Sequence, residues 1–251
     1  MPTLVTIPFS HFCEKARWAL DYARVAYREE GHVPGLHRRA VKLASGKAGS
    51  VPVLVLDGDG VLDDSPLIVR WADARATSDR KLLPSGGRER DEALALEHHL
   101  DVDFAPHVRR FAYFHLLADR ARVLELMRIA TPRLEHAVVR LGFPVLRRFM
   151  QRAMRIDREH TMRSRDTMRS VFDAMSERLG DGRPYLLGDR FSVVDLSFAA
   201  FSTPLLTPAE HPLRRHTQAE LPATMDDEIR GLRETAAGLF ALRMYREHRA
   251  G

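Results

Sequence analysis

The feature that most constrains this chain is a change of hydrophobic period near residue 77. Before it, short β-branched runs alternate with helical spacings. Beyond it, apolar residues recur every three or four positions for almost all of the remaining length. Two units follow: a mixed α/β part at 1–77 and an all-helical part at 89–251, joined by a linker at 78–88 whose Ser, Asp, Pro and Gly have loop chemistry. The 251 residues, 45% of them hydrophobic, suffice for full cores without a metal or disulfide staple. A single cysteine, Cys13, excludes an internal disulfide and any multi-cysteine metal site, and a free thiol suits a reducing compartment.

In the first unit residues 4–7 form an apolar strand, and Phe12, Ala16, Ala19, Leu20 and Ala23 follow at helical spacing. Residues 27–33 read as a second strand and 37–44 as a short helix. From Val51 to Asp64 β-branched residues flank a Gly-containing turn, which predicts an antiparallel hairpin. A helix then resumes over 65–76, with Pro66 in a first turn that tolerates its missing N–H. The order is βαβαββα.

The second unit predicts helices over 89–128, broken at Pro106, and over 133–179, broken at Pro144. Ser192, followed three residues later by Asp195 and then by Leu196, Phe198, Ala199 and Ala200, reads as a capping box. Pro204 and Pro208 end that helix, and 225–248 forms a last one. The net charge of +5 is local: residues 147–169 hold eight arginines against Asp157, Glu159 and Asp166. Leu146, Phe149, Met150, Ala153, Met154 and Ile156 run at helical spacing beside them, so the arginines read as the solvated face of an amphipathic helix. Without a recognition module or a stacking set they do not point to nucleic acid. No apolar run spans a bilayer and the first residues lack signal-peptide character, so a cytoplasmic protein without membrane association is expected.

Chemistry concentrates where the first strand hands over to the first helix, from Ile7 to Trp18. Free N–H groups and the positive end of the helix dipole favour a thiolate there, whether of the protein or of a bound thiol. Ser10 is placed to donate to such a sulfur, and Cys13 lies one turn on. From the local residues alone, Ser10 also reads as a plain helix cap and Cys13 as a small buried residue.

The order βαβαββα, the Ser10-x-x-Cys13 junction, Val51-Pro52 before a strand and Asp64-Ser65 at the third helix together resemble the thioredoxin-fold half of the glutathione S-transferase family. The Leu82-Leu83-Pro84 linker and the run from Tyr185 to Leu196 resemble that family's helical half. The resemblance implies a glutathione-dependent transferase, with glutathione as co-substrate rather than a permanent cofactor, attacking a small hydrophobic electrophile. It places Ser10 at the thiol-activating position and Cys13 beside it. It implies a cis Pro52, with Val51 pairing the cysteinyl segment of glutathione, and Asp64 and Ser65 holding the γ-glutamyl end. Lys47, or Lys42, stands for the glycyl carboxylate. Phe12, Phe104, Phe111, Tyr113 and Phe114 are candidates for the electrophile pocket, although each ring also suits a core. A homodimer is expected. His99, Asp103 and His107 fall at four-residue spacing but are interrupted by Pro106, so no metal site is assigned. Two other readings stay open: a glutathione-dependent disulfide reductase or peroxidase using Cys13, and a non-catalytic binding module of the same fold.

Overall fold

A computed structural model describes residues 1–46, 49–58, 60–215 and 222–249. Strand β1 (Thr3–Thr6) leads into α1 (His11–Tyr22), β2 (Arg28–Gly31), α2 (His37–Ser45), the hairpin of β3 (Val53–Val55) and β4 (Val61–Leu62), and α3 (Ser65–Arg75). The strand order is β2-β1-β3-β4, with β1 parallel to β2 and antiparallel to β3, and β3 antiparallel to β4. The βαβαββα order read from the sequence is therefore the observed one. Successive strand side chains point to opposite faces. Leu4 and Leu54, paired across β1 and β3, face Ala16 and Leu20 of α1 and Ile68 and Ala72 of α3. Val5 and Val53 face Val41 of α2 on the other side. Both faces are covered at β1 and β3, which explains why Leu4, Val5, Val53 and Leu54 are apolar on either side, whereas β2 at the edge is Arg-Glu-Glu-Gly and stays partly exposed.

The helical part runs through α4 (Gly87–His99), a widened π-type turn (Leu100–Phe104), α5 (Ala105–Leu116), α6 (Arg120–Arg128), α7 (Arg133–Ala153), α8 (Arg158–Arg178), α9 (Val193–Leu206), α10 (Asp226–Glu234) and α11 (Ala236–Met244). Among the described residues no helix is long and apolar enough to cross a membrane. The capping box is present: the Ser192 hydroxyl accepts from the start of α9, and Asp195 accepts from Ser192 N at 2.7 Å and from Leu186 N at 2.8 Å.

The proline breaks are corrected by the structure. Pro106 enters the first turn of α5, where it forfeits no helical hydrogen bond, and the π turn before it absorbs the change of register. The chain breaks instead after α5, where Asp119 caps α6 by accepting from Arg122 N at 3.1 Å. Pro144 lies inside an unbroken α7. Its missing N–H would orphan the carbonyl of Arg140, but Arg120 Nη2 donates to that oxygen at 2.8 Å. Pro204 is likewise internal to α9, which ends at Leu206. The last predicted helix is two, because Thr235 restarts the chain by capping α11 through Gly238 N.

One core runs through both parts: Trp18 and Leu20 belong to the same buried cluster as Phe104, Phe172 and Phe198. Polar links cross it as well. His11 Nε2 donates to Ala105 O at 3.1 Å, Trp18 Nε1 to His248 O at 3.1 Å, and the Glu14 carboxylate accepts from Arg17 and from Arg249 near the far end of the chain. The end of β2 abuts the helical part so closely that a Cβ at Gly31 would overlap the Ala130 carbonyl.

Candidate functional site

Ser10 precedes α1 with extended backbone angles (φ −77°, ψ 125°), its N–H bonded to Ile7 O and its C=O accepting from Glu14 N. Its hydroxyl does not cap the helix. The first N–H groups of α1 therefore keep no side-chain acceptor at Ser10, and the helix end stays electropositive. One turn on, Cys13 is fully buried. Burial pushes its thiol up to about 12, outweighing the opposing pull of the Ile7 backbone, Arg17 and the Ser10 hydroxyl. Cys13 is accordingly a protonated interior thiol and not, as its place in the sequence allowed, a nucleophile presented to solvent.

Ser10 lines a cleft of about 300 Å³ between the two parts of the chain. One wall comes from Ile7, Ser10, Phe12 and the Pro34–Arg38 and Gly49–Val51 segments; the other comes from Arg109 and Tyr113 of α5 and from Leu146, Phe149, Met150, Ala153 and Met154 at and beyond α7. Gly35 turns into this wall at φ +92°, a conformation suited to glycine, and its N–H donates to His37 Nδ1 at 3.1 Å, which fixes that ring. The Val51–Pro52 peptide is cis. Among the described residues no hydrogen bond occupies the Val51 backbone, so a donor and an acceptor stand free at the cleft.

The start of α3 follows β4, and neither Asp64 nor Ser65 lines the cleft. Asp64 Oδ1 accepts from Ser65 N at 2.7 Å, while the fully buried Ser65 hydroxyl has no hydrogen-bond partner among the described residues. Lys15, also fully buried, joins Asp101 at 2.6 Å and Glu97 at 2.9 Å. Burial raises Asp101 to about 6 against the pull of Lys15, with Glu97 and Asp64 adding repulsion, and its Oδ1 is left unpartnered. Asp101 was not singled out by the sequence reading, because its relation to Asp64 exists only after folding.

The cleft thus brings together Ser10, Phe12, Val51 and Tyr113, but not all of the predicted set. Phe104 and Phe111 are core residues: Phe104 stacks on Phe198 at 5.6 Å between centroids, and neither ring lines the cleft. Phe114 packs with the cluster around Val33 and Phe143 instead. Lys42 is exposed on α2 and does not line the cleft, whereas Arg38 one turn earlier does. Lys47 lies outside the described residues. His99 and Asp103 pair with each other on the surface at 2.9 Å, and His107 turns to Ser164 at 3.1 Å, so the three do not converge.

Two protein-family models match the chain: the glutathione S-transferase N-terminal domain over residues 4–80 and the glutathione S-transferase C-terminal domain over residues 155–213. Together they span more than half of it. Similar solved structures include a glutathione S-transferase from Xanthobacter autotrophicus Py2, at 15% identity over 98% of this chain and 93% of that one, with TM-score 0.62. Another is a glutathione S-transferase from Sinorhizobium meliloti 1021, at 20% identity over 98% of each chain and TM-score 0.58. A third is the theta class enzyme from Xanthomonas axonopodis pv. citri with glutathione bound, at 19% identity over 100% of this chain and 97% of that one, TM-score 0.58. At such identities the likeness is one of fold. No curated protein matches the chain.

Proposed function

The chain belongs to the glutathione S-transferase family, and on that premise we propose that it binds glutathione in the cleft beside Ser10 and Val51 and directs its thiolate at a hydrophobic electrophile. The cysteinyl segment adds to the sheet edge as a short strand on the free Val51 backbone groups. Its sulfur then sits before the N-terminus of α1, where the helix dipole favours the anion. Because Cys13 keeps its proton, the Ser10 oxygen can accept from that thiol while its own O–H donates to the bound sulfur. The γ-glutamyl carboxylate meets the Ser65 hydroxyl and the N–H groups of α3, and the ammonium meets Asp64 and Asp101. Arg38 takes the glycyl carboxylate in place of the lysines first considered.

In the transfer step the sulfur lone pair forms a carbon–sulfur bond while the leaving group departs with its electron pair. The residues contribute ionisation and positioning, and the apolar wall of Phe12, Tyr113, Leu146 and Phe149 holds the electrophile.

The observation that carries this reading is Ser10: a hydroxyl at a helix N-terminus that does not cap the helix and that shares a cleft with the residue before a cis proline. The rival use of Cys13 in disulfide reduction or peroxide chemistry is disfavoured by its burial and raised thiol. A free interior cysteine accords with a cytoplasmic setting, and the exposed Leu134, Val138, Leu141 and Val145 along one face of α7 offer apolar surface to a second copy. Isothermal titration with glutathione, with turnover of a generic electrophile by Ser10→Ala and Cys13→Ala, tests the reading. Binding is expected, with turnover lost in the serine variant and kept in the cysteine variant. The reverse pattern makes Cys13 the nucleophile; no binding makes the protein a non-catalytic module.

A further inference from the structure

The cleft holds a cation that the transfer reaction as described does not use. Arg109 projects from α5 into the wall facing Ser10, with its guanidinium 5.6 Å from the centre of the Phe12 ring. Among the described residues it makes no hydrogen bond and no ion pair, although a guanidinium carries five donors and stays charged. Among the described residues the cleft lining contains no aspartate or glutamate; its charged side chains there are Arg38 and Arg109, with His37 beside them.

The surroundings sharpen the imbalance. Burial lowers Arg109 from its ordinary value; on its own element Arg110 repels it, and Tyr113, whose hydroxyl burial holds at about 12, is neutral. His11, packed beneath, is pushed down to about 3 by burial and by Arg109 itself, so it is neutral too. The adjacent Arg110 is satisfied by Met154 O at 3.0 Å and Ser164 Oγ at 2.7 Å. Arg110 feels the repulsion of Arg109 and Arg155 before the attraction of the exposed Asp157. A partly buried cation without a counter-charge costs stability, and an anionic ligand group relieves that cost.

We propose that the electrophile taken by this cleft carries an anionic group, a carboxylate or its equivalent on an apolar body, and that Arg109 is the specificity-determining residue that receives it. The inference rests on the transferase reading for its geometry. In that reading the two carboxylates of glutathione go to Ser65 and Arg38 on the sheet side, and its sulfur to Ser10, which leaves Arg109 on the opposite wall for the second substrate. The rings and aliphatic side chains around it, Phe12, Leu146 and Phe149, cover the apolar body.

A matched pair of probes tests this. Para-(bromomethyl)benzoate and its methyl ester react in the same way: the glutathione sulfur forms a bond to the benzylic carbon, and bromide leaves with the carbon–bromine electron pair. The acid is expected to exceed the ester in kcat/KM by about 10-fold or more, in line with a charge-assisted hydrogen bond to a desolvated guanidinium. Arg109→Gln is expected to collapse that ratio toward one, and Arg109→Lys to restore part of it. Equal kcat/KM for acid and ester in the unaltered protein overturns the proposal. So does a fall of the same factor for both probes in Arg109→Gln, which assigns Arg109 to the glutathione sulfur instead.

Calorimetric titration of the unaltered protein with inert para-methylbenzoate and with its methyl ester gives an answer independent of turnover. Tighter binding of the acid supports the proposal and equal binding overturns it. Should glutathione fail to bind and neither bromide be consumed, the transferase reading falls, while this second titration still decides whether the cleft selects an anion.

Discussion

Replacing Glu14 by Gln removes a carboxylate shared by two buried guanidiniums. Glu14 lies on α1, 1% exposed, with Oε2 2.5 Å from Arg17 Nη1, Oε1 2.7 Å from Arg249 Nε, and His211 Nε2 3.6 Å away. Burial by itself would raise this carboxyl, but Arg249, His211 and Arg17 outweigh it and hold it at about 2, against an ordinary 4.5. A folded-state value below the unfolded one means that the linked stability is present above pH 4.5 and is lost as pH falls toward 2. At about 1.4 kcal/mol per unit, the shift corresponds to about 3 kcal/mol at neutral pH, declining to about 1 kcal/mol at pH 3. Breaking a buried pair by removing one partner gives a similar figure, roughly 3–5 kcal/mol.

Urea denaturation followed by tryptophan fluorescence reads this directly, since the Arg249 guanidinium lies 5.8 Å from the centre of the Trp18 ring. The variant is expected to be less stable by about 3 kcal/mol at neutral pH, with a gap that narrows to about 1 kcal/mol at pH 3. A gap below about 0.5 kcal/mol at neutral pH, within the range of an ordinary surface substitution, refutes the reasoning. A gap that stays constant across the acid range does so as well, because the network would then not be linked to this proton.

Ser10→Ala should return a bound thiol from roughly 6.5 to roughly 8.5, cutting its ionised fraction near neutrality about 25-fold, and steady-state turnover should fall by a similar factor. Cys13 should resist iodoacetamide in the folded protein and react on unfolding, because its raised value of about 12 and its burial keep the thiolate scarce at neutral pH; mass spectrometry of the labelled protein checks it. Phe104→Ala should cost about 3–5 kcal/mol in urea titration while leaving the KM for glutathione unchanged, since the ring fills the helical core. Gly31→Ala should destabilise by about 1–3 kcal/mol in the same assay, because the Ala130 backbone has to move.

How far the sequence could be read depended on whether the cause was local. The strands, the hairpin and the capping box at Ser192 and Asp195 arise from neighbours a few residues apart, and each was legible. The place of Ser10 between β1 and α1 was legible for the same reason, since a strand-to-helix junction exposes N–H groups whatever surrounds it. Pro144 was not, because the helix continues only where Arg120, from another segment, supplies the donor for the Arg140 carbonyl. Phe104 and Tyr113 share a helical stretch, and the packing of α8 and α9 decides which of them faces the core. Arg109 was hidden among many arginines; its meaning lies in the absence of a carboxylate around it among the described residues, which only the fold brings out.

The central claim concerns the sulfur of a glutathione held beside Ser10, and its ionisation can be followed through the ultraviolet absorbance of the thiolate as pH is varied. The account predicts that binding lowers the thiol well below the free value of about 8.5 and that Ser10→Ala reverses most of that shift. A bound thiol that titrates at its free value, with Ser10 present or absent, contradicts it.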